Sequence, residues 1–310
     1  MTEPLNRRRF ISQSAQGAAV AATLAGTSTL AGNLGTRLQA AENAAEETRG
    51  EINHSVCRWC YSGVSLDDLC QAGKKFGLKS VELLQPDEIP TIRKFDLTCA
   101  IVSNPSAKTA DGQTVGGISL AWNRPQFHGV LTEAYRAQLK KCADLGLKNL
   151  ICFSGNRDGM DDQEGLENCA KGLKQILPFA EKLDITLTME LLNSKVDHHD
   201  YMCDHTEWGA ALCETIGSNH FKLLYDIYHM QIMEGDVIAT IRKHHAWISH
   251  YHTGGVPGRN EIDESQELYY PAIMRAIVET GYTGFVGQEF IPKRADKLAS
   301  LQQGVTICTV

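Results

Sequence analysis

Positive charge is scarce in this chain. Thirty lysines and arginines stand against 37 aspartates and glutamates, a formal net charge of −7 over 310 residues. An acidic chain gains little from displacing counterions on a phosphate backbone, so nucleic acid is a poor expected partner. No Gly-x-Gly-x-x-Gly follows the first strand-like run, which argues against a dinucleotide fold. No internal repeat is visible, and no second Cys-x-x-Cys accompanies Cys57-Arg58-Trp59-Cys60, so that pair is a weak zinc or redox signal. What is present is ordinary for a globular protein: 43% hydrophobic and 22% charged residues, on a chain long enough to bury a sizeable core. Several of the ten cysteines lie in apolar runs such as Leu150-Ile151-Cys152-Phe153, where they act as small hydrophobes.

The N-terminus has a different character. Asn6-Arg7-Arg8-Arg9-Phe10-Ile11 is followed by an uncharged stretch from Ser14 to Gly32, rich in Ala, Gly, Thr and Leu. This resembles a twin-arginine export signal, which a receptor reads through its arginine pair. The stretch holds too many small residues for the ~20 strongly apolar residues of a spanning helix. Residues 1–45 are therefore expected to be an export signal and linker, and 46–310 a single catalytic domain. The expected location is the periplasm, with no stable membrane anchoring once the signal is removed. Export in the folded state, which the resemblance implies, suits reduced cysteines.

After residue 50, short apolar runs alternate with longer helical patterns. The candidate strands are Ile52–Cys57, Ser80–Leu83, Leu97–Val102, Leu150–Phe153, Ile185–Glu190, Phe221–Asp226, Ile248–His252 and Phe285–Glu289. Helical patterns lie between them, among them Leu66–Phe76, Gly129–Leu145, Asp162–Leu183, Asp204–Ile216, Gly235–His244 and Tyr270–Thr280, with weaker ones at Pro86–Lys94 and Ala295–Gly304. Such alternation predicts an α/β fold with a parallel sheet. Eight repeats over this length match a (β/α)8 TIM barrel. The long connection Ser103–His128, with several glycines and Trp122, is expected to form a lid or binding loop.

Four late strands end in groups able to hold a metal: Glu190, Asp226, His252 and Glu289. The C-terminal ends of barrel strands converge on one face. Three carboxylates and an imidazole gathered there would repel one another without a cation, and such a set suits one divalent ion: Mn, Mg, Co or Zn.

Several runs carry a family resemblance. They are Met189-Glu190-Leu191-Leu192-Asn193, Tyr225-Asp226-Ile227-Tyr228-His229, His252-Thr253-Gly254-Gly255-Val256-Pro257-Gly258-Arg259, Gly281-Tyr282-Thr283-Gly284 and Glu289-Phe290-Ile291-Pro292. Together they resemble the hydroxypyruvate isomerase branch of the xylose isomerase-like TIM barrels. The resemblance implies that Glu190, Asp226, His252 and Glu289 bind one divalent metal, and that Glu190 and Glu289 are the catalytic acid/base pair. It also implies that His229 meets a substrate oxygen. His252 stands where that branch commonly has glutamine, as in sugar 3-epimerases, which leaves the substrate open.

The expected activity is isomerisation of a small hydroxy-carbonyl compound, hydroxypyruvate to 2-hydroxy-3-oxopropanoate (tartronate semialdehyde) first, through an enediolate. Arg259, after a Pro-Gly turn, and Lys293 are candidate cations for a substrate carboxylate. Trp122 is a candidate cover for the substrate. The alternatives are a ketose 3-epimerase or sugar isomerase, an endonuclease IV-like nuclease, and a non-catalytic sugar-binding barrel. A homo-oligomer is compatible with any of these. Glu82, at the end of the second strand, is expected to orient neighbouring groups.

Overall fold

The computed structural model describes residues 51–310. The expected export segment, residues 1–45, lies outside the described residues. In chain order the strands are β1 (Asn53–Cys57), β2 (Ser80–Glu82), β3 (Ala107–Lys108), β4 (Thr114–Val115), β5 (Asn149–Cys152), β6 (Thr186–Glu190), β7 (Phe221–Asp226), β8 (Ile248–Thr253) and β9 (Phe285–Gln288). β3 and β4 form a small antiparallel hairpin. The other seven make one parallel sheet in the order β2-β1-β9-β8-β7-β6-β5. Their residues are almost all buried, as a parallel sheet covered on both faces requires.

The segment between β2 and β5 in this order is not the regular strand expected over Leu97–Val102. It pairs only through isolated bridges, Thr98 with Ser80 and Val102 with both Leu84 and Leu150. The cause is local. The Ala100 N–H donates to Ser80 Oγ at 2.8 Å, and the Ala100 carbonyl accepts from Asn149 Nδ2 at 2.9 Å. Both backbone groups are satisfied by side chains, so the ladder breaks there. The bridges still link β2 to β5, and the sheet closes into a TIM barrel.

The helices are α1 (Leu66–Lys75), α2 (Ile89–Arg93), α3 (His128–Asp144), α4 (Asp162–Lys182), α5 (Thr206–Ile216), α6 (Ile227–Met233), α7 (Val237–His244), α8 (Tyr270–Glu279) and α9 (Lys297–Cys308). Caps set several of these starts. Ser65 accepts from the Asp68 N–H at α1, and Asp161 accepts from Gln163 and Glu164 at α4. Helix α6 was not expected. It starts because Asp226, besides ending β7, accepts the His229 N–H and caps the next turn. The C-terminal helix runs later than expected, Lys297–Cys308; Asp296 supplies its N-cap by accepting from the Ala299 N–H.

The long loop differs from expectation at its aromatic. Trp122 is completely buried, with its ring 5.2 Å from that of Tyr135 on α3. It packs in the core and does not cover the barrel mouth; the loop instead brings Asn104 and Ile118 to the cavity described below. The ten cysteines are all buried and free. Among the described residues no helix is long and apolar enough to cross a membrane.

Candidate metal centre and active site

Glu190 and Asp226 are the last residues of β6 and β7, His252 lies near the end of β8, and Glu289 directly follows β9. Asp226 pairs in register with His252, and His252 with Gly287. Adjacent parallel strands thus deliver the four side chains to one spot, where one donor atom from each lies within 4.8 Å of all the others. All four residues are buried. The His252 Nδ1 lies 2.9 Å from Glu289 Oε2 and 3.3 Å from Glu190 Oε1.

The electrostatics of the cluster bear on whether it fits a cation. Burial, reinforced by the charge of Glu289, pushes the Glu190 carboxyl above its ordinary range. Burial pushes Asp226 up as well, with Arg259 opposing. Glu289 goes the other way: burial would raise it, but Arg259 and His252 outweigh that and hold it well below the usual carboxylate range. Burial thus penalises the charge on two of the three carboxylates. The donor set, three carboxylates and one imidazole nitrogen, has the composition that hard to borderline divalent metals take. These residues could hold a metal ion.

Arg259 supplies one positive charge of its own. Its Nη2 donates to Glu289 Oε2 at 2.5 Å and lies 3.4 Å from Asp226 Oδ2. The guanidinium is sandwiched, with its carbon 5.1 Å from the Trp59 ring centre and 5.5 Å from that of Tyr228. The turn that aims it is tight: the Arg259 N–H donates to the Gly255 carbonyl at 2.8 Å, and the Ile291 N–H donates to the Arg259 carbonyl at 2.7 Å. At Gly255 a Cβ would meet the Glu261 carbonyl at 2.3 Å, so the turn needs glycine there.

His229 is fully buried, and its protonation pattern can be read from its partners. Asn193 Oδ1 accepts the N–H groups of Val196 and Asp197, which fixes the amide orientation. Asn193 Nδ2 therefore donates to His229 Nδ1, at 2.6 Å. That leaves the ring proton on Nε2, which among the described residues has no hydrogen-bond partner and lies 3.6 Å from Asp226 Oδ2. Burial, helped by Arg259, holds the His229 pKa well below its ordinary value, so the ring is neutral.

On the far side of His252, Nε2 faces Glu82 Oε1 at 2.7 Å. His250 Nε2 reaches the same oxygen at 2.8 Å. Burial would raise the Glu82 pKa, but the two imidazoles outweigh it and lower it.

A cavity of about 380 Å³ opens beside Glu190, Glu289 and Arg259. Leu83, Ile118, Ile151, Phe153 and Leu192 form its apolar walls, while Ser103, Asn104, His198 and Trp59 supply polar atoms. Two of these were missed from sequence. Trp59 donates its Nε1–H to Glu289 Oε1 at 2.9 Å. It sits inside the Cys-x-x-Cys run, and its place just after the first strand was the available signal. His198 also lines the cavity, with its ring 5.3 Å from that of His229.

Lys293 is a correction in the other direction. Its side chain is exposed and does not line the cavity. Its backbone explains this: the N–H groups of Lys293 and Arg294 donate to Glu261 Oε1 at 3.0 and 3.1 Å, which turns the chain there and leaves the lysine outside.

A closed parallel barrel with acidic and imidazole side chains gathered at its strand ends defines the class: a TIM-barrel protein with its site at the C-terminal face. The model of the family described as "Xylose isomerase-like TIM barrel" matches residues 73–305, and the chain belongs to that family. A 2-oxo-tetronate isomerase of Cupriavidus necator is 35% identical over 109 residues, 35% of this chain and 41% of that protein. Hydroxypyruvate isomerase of Escherichia coli is 29% identical over 161 residues, 51% of this chain and 60% of that one. The chain thus aligns with less than two thirds of the length of each of these two relatives. Among solved structures, a family 2 AP endonuclease from Brucella melitensis superposes with a TM-score of 0.69 at 23% identity, covering 81% of this chain and 97% of that one, a likeness of fold.

Proposed function

We propose that this chain is an exported isomerase that depends on one divalent metal, Mn, Mg, Co or Zn, and shifts a proton between neighbouring carbons of a small hydroxy-carbonyl compound. The observation that carries this reading is the gathering of Glu190, Asp226, His252 and Glu289, all buried, beside an open cavity. A divalent ion held by these four would act as a Lewis acid on the substrate oxygens and stabilise the charge of an enediolate. The remaining chemistry falls to the protein. One of Glu190 and Glu289 takes the proton from the carbon next to the carbonyl, the other supplies its own proton to the neighbouring carbon, and the hydroxyl proton passes to the former carbonyl oxygen; the two glutamates exchange protonation states. His229, neutral with its proton on an unpartnered Nε2, offers a hydrogen bond to a substrate oxygen. Arg259 holds Glu289 and is the candidate partner of a substrate carboxylate.

Hydroxypyruvate is the first substrate to test, because the two relatives named as isomerases carry the names of small oxo-acids. One observation favours a neutral ketose instead. Among the described residues lining the cavity Arg259 is the one arginine or lysine, and it is already paired with Asp226 and Glu289. A buried substrate carboxylate would have to share that cation. Assays of both classes on chain reconstituted with Mn2+ separate the two: turnover of ketoses alone removes the acid, and no turnover of either in any metal form removes the isomerase reading. Export rests on Arg7, Arg8 and Arg9 and the uncharged stretch after them. Replacing the arginines with lysines should hold the chain in the cytoplasm; unchanged export would contradict the signal.

A further inference from the structure

A buried carboxylate at the end of β2 has no part in the chemistry above, yet it touches the one imidazole of the metal set. Glu82, the last residue of β2, is completely buried. Its Oε1 faces His252 Nε2 at 2.7 Å, His250 Nε2 at 2.8 Å and the Cys57 thiol at 3.4 Å. Among the described residues its Oε2 has no hydrogen-bond partner. A carboxylate serving only to satisfy the core would be expected to use both oxygens; this one concentrates its contacts on a single atom aimed at two imidazoles.

We propose that Glu82 is the positioning residue of the metal centre: by accepting the His252 Nε2–H it fixes that ring's tautomer and rotation, so that the Nδ1 lone pair faces Glu190 and Glu289. The inference rests on the metal-dependent reading of the site. An imidazole has two nitrogens and binds a metal through one of them, so the partner of the other decides which is free. A charged acceptor on Nε2 also makes Nδ1 a stronger donor.

The sheet has been shaped to permit this contact. Gly287 of β9 lies between His252 and Glu82. A Cβ at that position would stand 2.3 Å from Glu82 Oε1 and 2.9 Å from His252 Cδ2. The carboxylate reaches the ring only because residue 287 has no side chain. His250, two residues before His252 on β8, fills the second lone pair of the same oxygen and keeps the carboxylate from rotating. The Cys57 thiol, which burial keeps protonated, closes the third side.

The test is Mn2+ binding by calorimetry on the full-length chain, its Glu82→Gln variant and its Gly287→Ala variant, with thermal unfolding of each measured beside it. Glutamine keeps the shape and one acceptor oxygen but removes the charge. We expect the Mn2+ dissociation constant to rise about 10- to 100-fold in Glu82→Gln, with one ion still bound per chain. Gly287→Ala, whose carboxylate is intact but displaced, should weaken binding in the same direction. Equal affinity in the parent and Glu82→Gln overturns the proposal and leaves the metal site standing. No Mn2+ bound by the parent at this cluster removes the metal reading itself, a distinguishable failure. If a variant does not fold, nitrogen NMR of the Zn2+-loaded parent still decides: His252 must carry its proton on Nε2, and a proton on Nδ1 overturns the assignment.

Discussion

Asn193 donates an amide hydrogen to His229 Nδ1 across 2.6 Å, and this contact sets which nitrogen of a fully buried imidazole carries its proton. Asn193→Asp keeps the size and the acceptor for the Val196 and Asp197 N–H groups but replaces the donor by an acceptor. His229 would then turn its proton to Nδ1 and leave Nε2 bare. The expected result is a fall in kcat of about 100-fold, the usual cost of losing one donor aimed at developing charge. Metal content should not change. Wild-type kcat in Asn193→Asp would remove His229 from the reaction.

Glu190→Gln and Glu289→Gln keep an oxygen for a metal but cannot carry a proton. Each should lower kcat by at least about 100-fold. Steady-state kinetics at saturating Mn2+ checks this, and full activity in both variants would end the acid/base assignment.

Trp59 links the first strand to the last ligand through its Nε1–H on Glu289, while its ring faces the Arg259 guanidinium. Trp59→Phe removes the hydrogen bond and retains a ring. Loss of one such bond to a charged oxygen costs about 1.5–3 kcal/mol, so kcat/KM should fall between ~10- and ~150-fold. A larger fall in Trp59→Ala than in Trp59→Phe would show that the ring also matters.

His54 makes the barrel sensitive to acid. It is buried, and burial lowers its pKa from 6.5 to about 4 in the folded chain. Because the folded value lies below the unfolded one, the unfolded chain takes up the proton first as pH falls through 6.5. The stability present above that pH is lost progressively down to about 4, and roughly 2 kcal/mol of it should be gone by about pH 5. Urea unfolding of the parent and His54→Gln between about pH 7 and about pH 5 measures this. Parallel profiles for the two chains would show that His54 contributes nothing.

The parts that the sequence made legible are those in which chemistry and periodicity coincide. Glu190, Asp226 and Glu289 each follow an apolar run at a strand end, and His252 lies in the last apolar run but one, so barrel geometry alone predicts their meeting. The segment Leu97–Val102 has the same apolar look but lacks a regular ladder, because Ser80 and Asn149 side chains take the Ala100 backbone. Such a side-chain capture is invisible until strands are placed in register. Trp122 and Lys293 were misjudged for a related reason. An aromatic in a long loop and a lysine after a strand end give no sign of which way the backbone turns, and here the ring packs on Tyr135 and the lysine faces outward. An orienting role for Glu82 was legible from its strand end, but its two histidine partners, and the contact of Trp59 with Glu289, are between strands and chain order does not reveal them.

The most direct trial of the account is anomalous diffraction from crystals of the chain grown with Mn2+. One strong peak bounded by Glu190, Asp226, the Nδ1 of His252 and Glu289 is the predicted result. A map with no peak at that cluster, or with the ion held by other side chains, would contradict it.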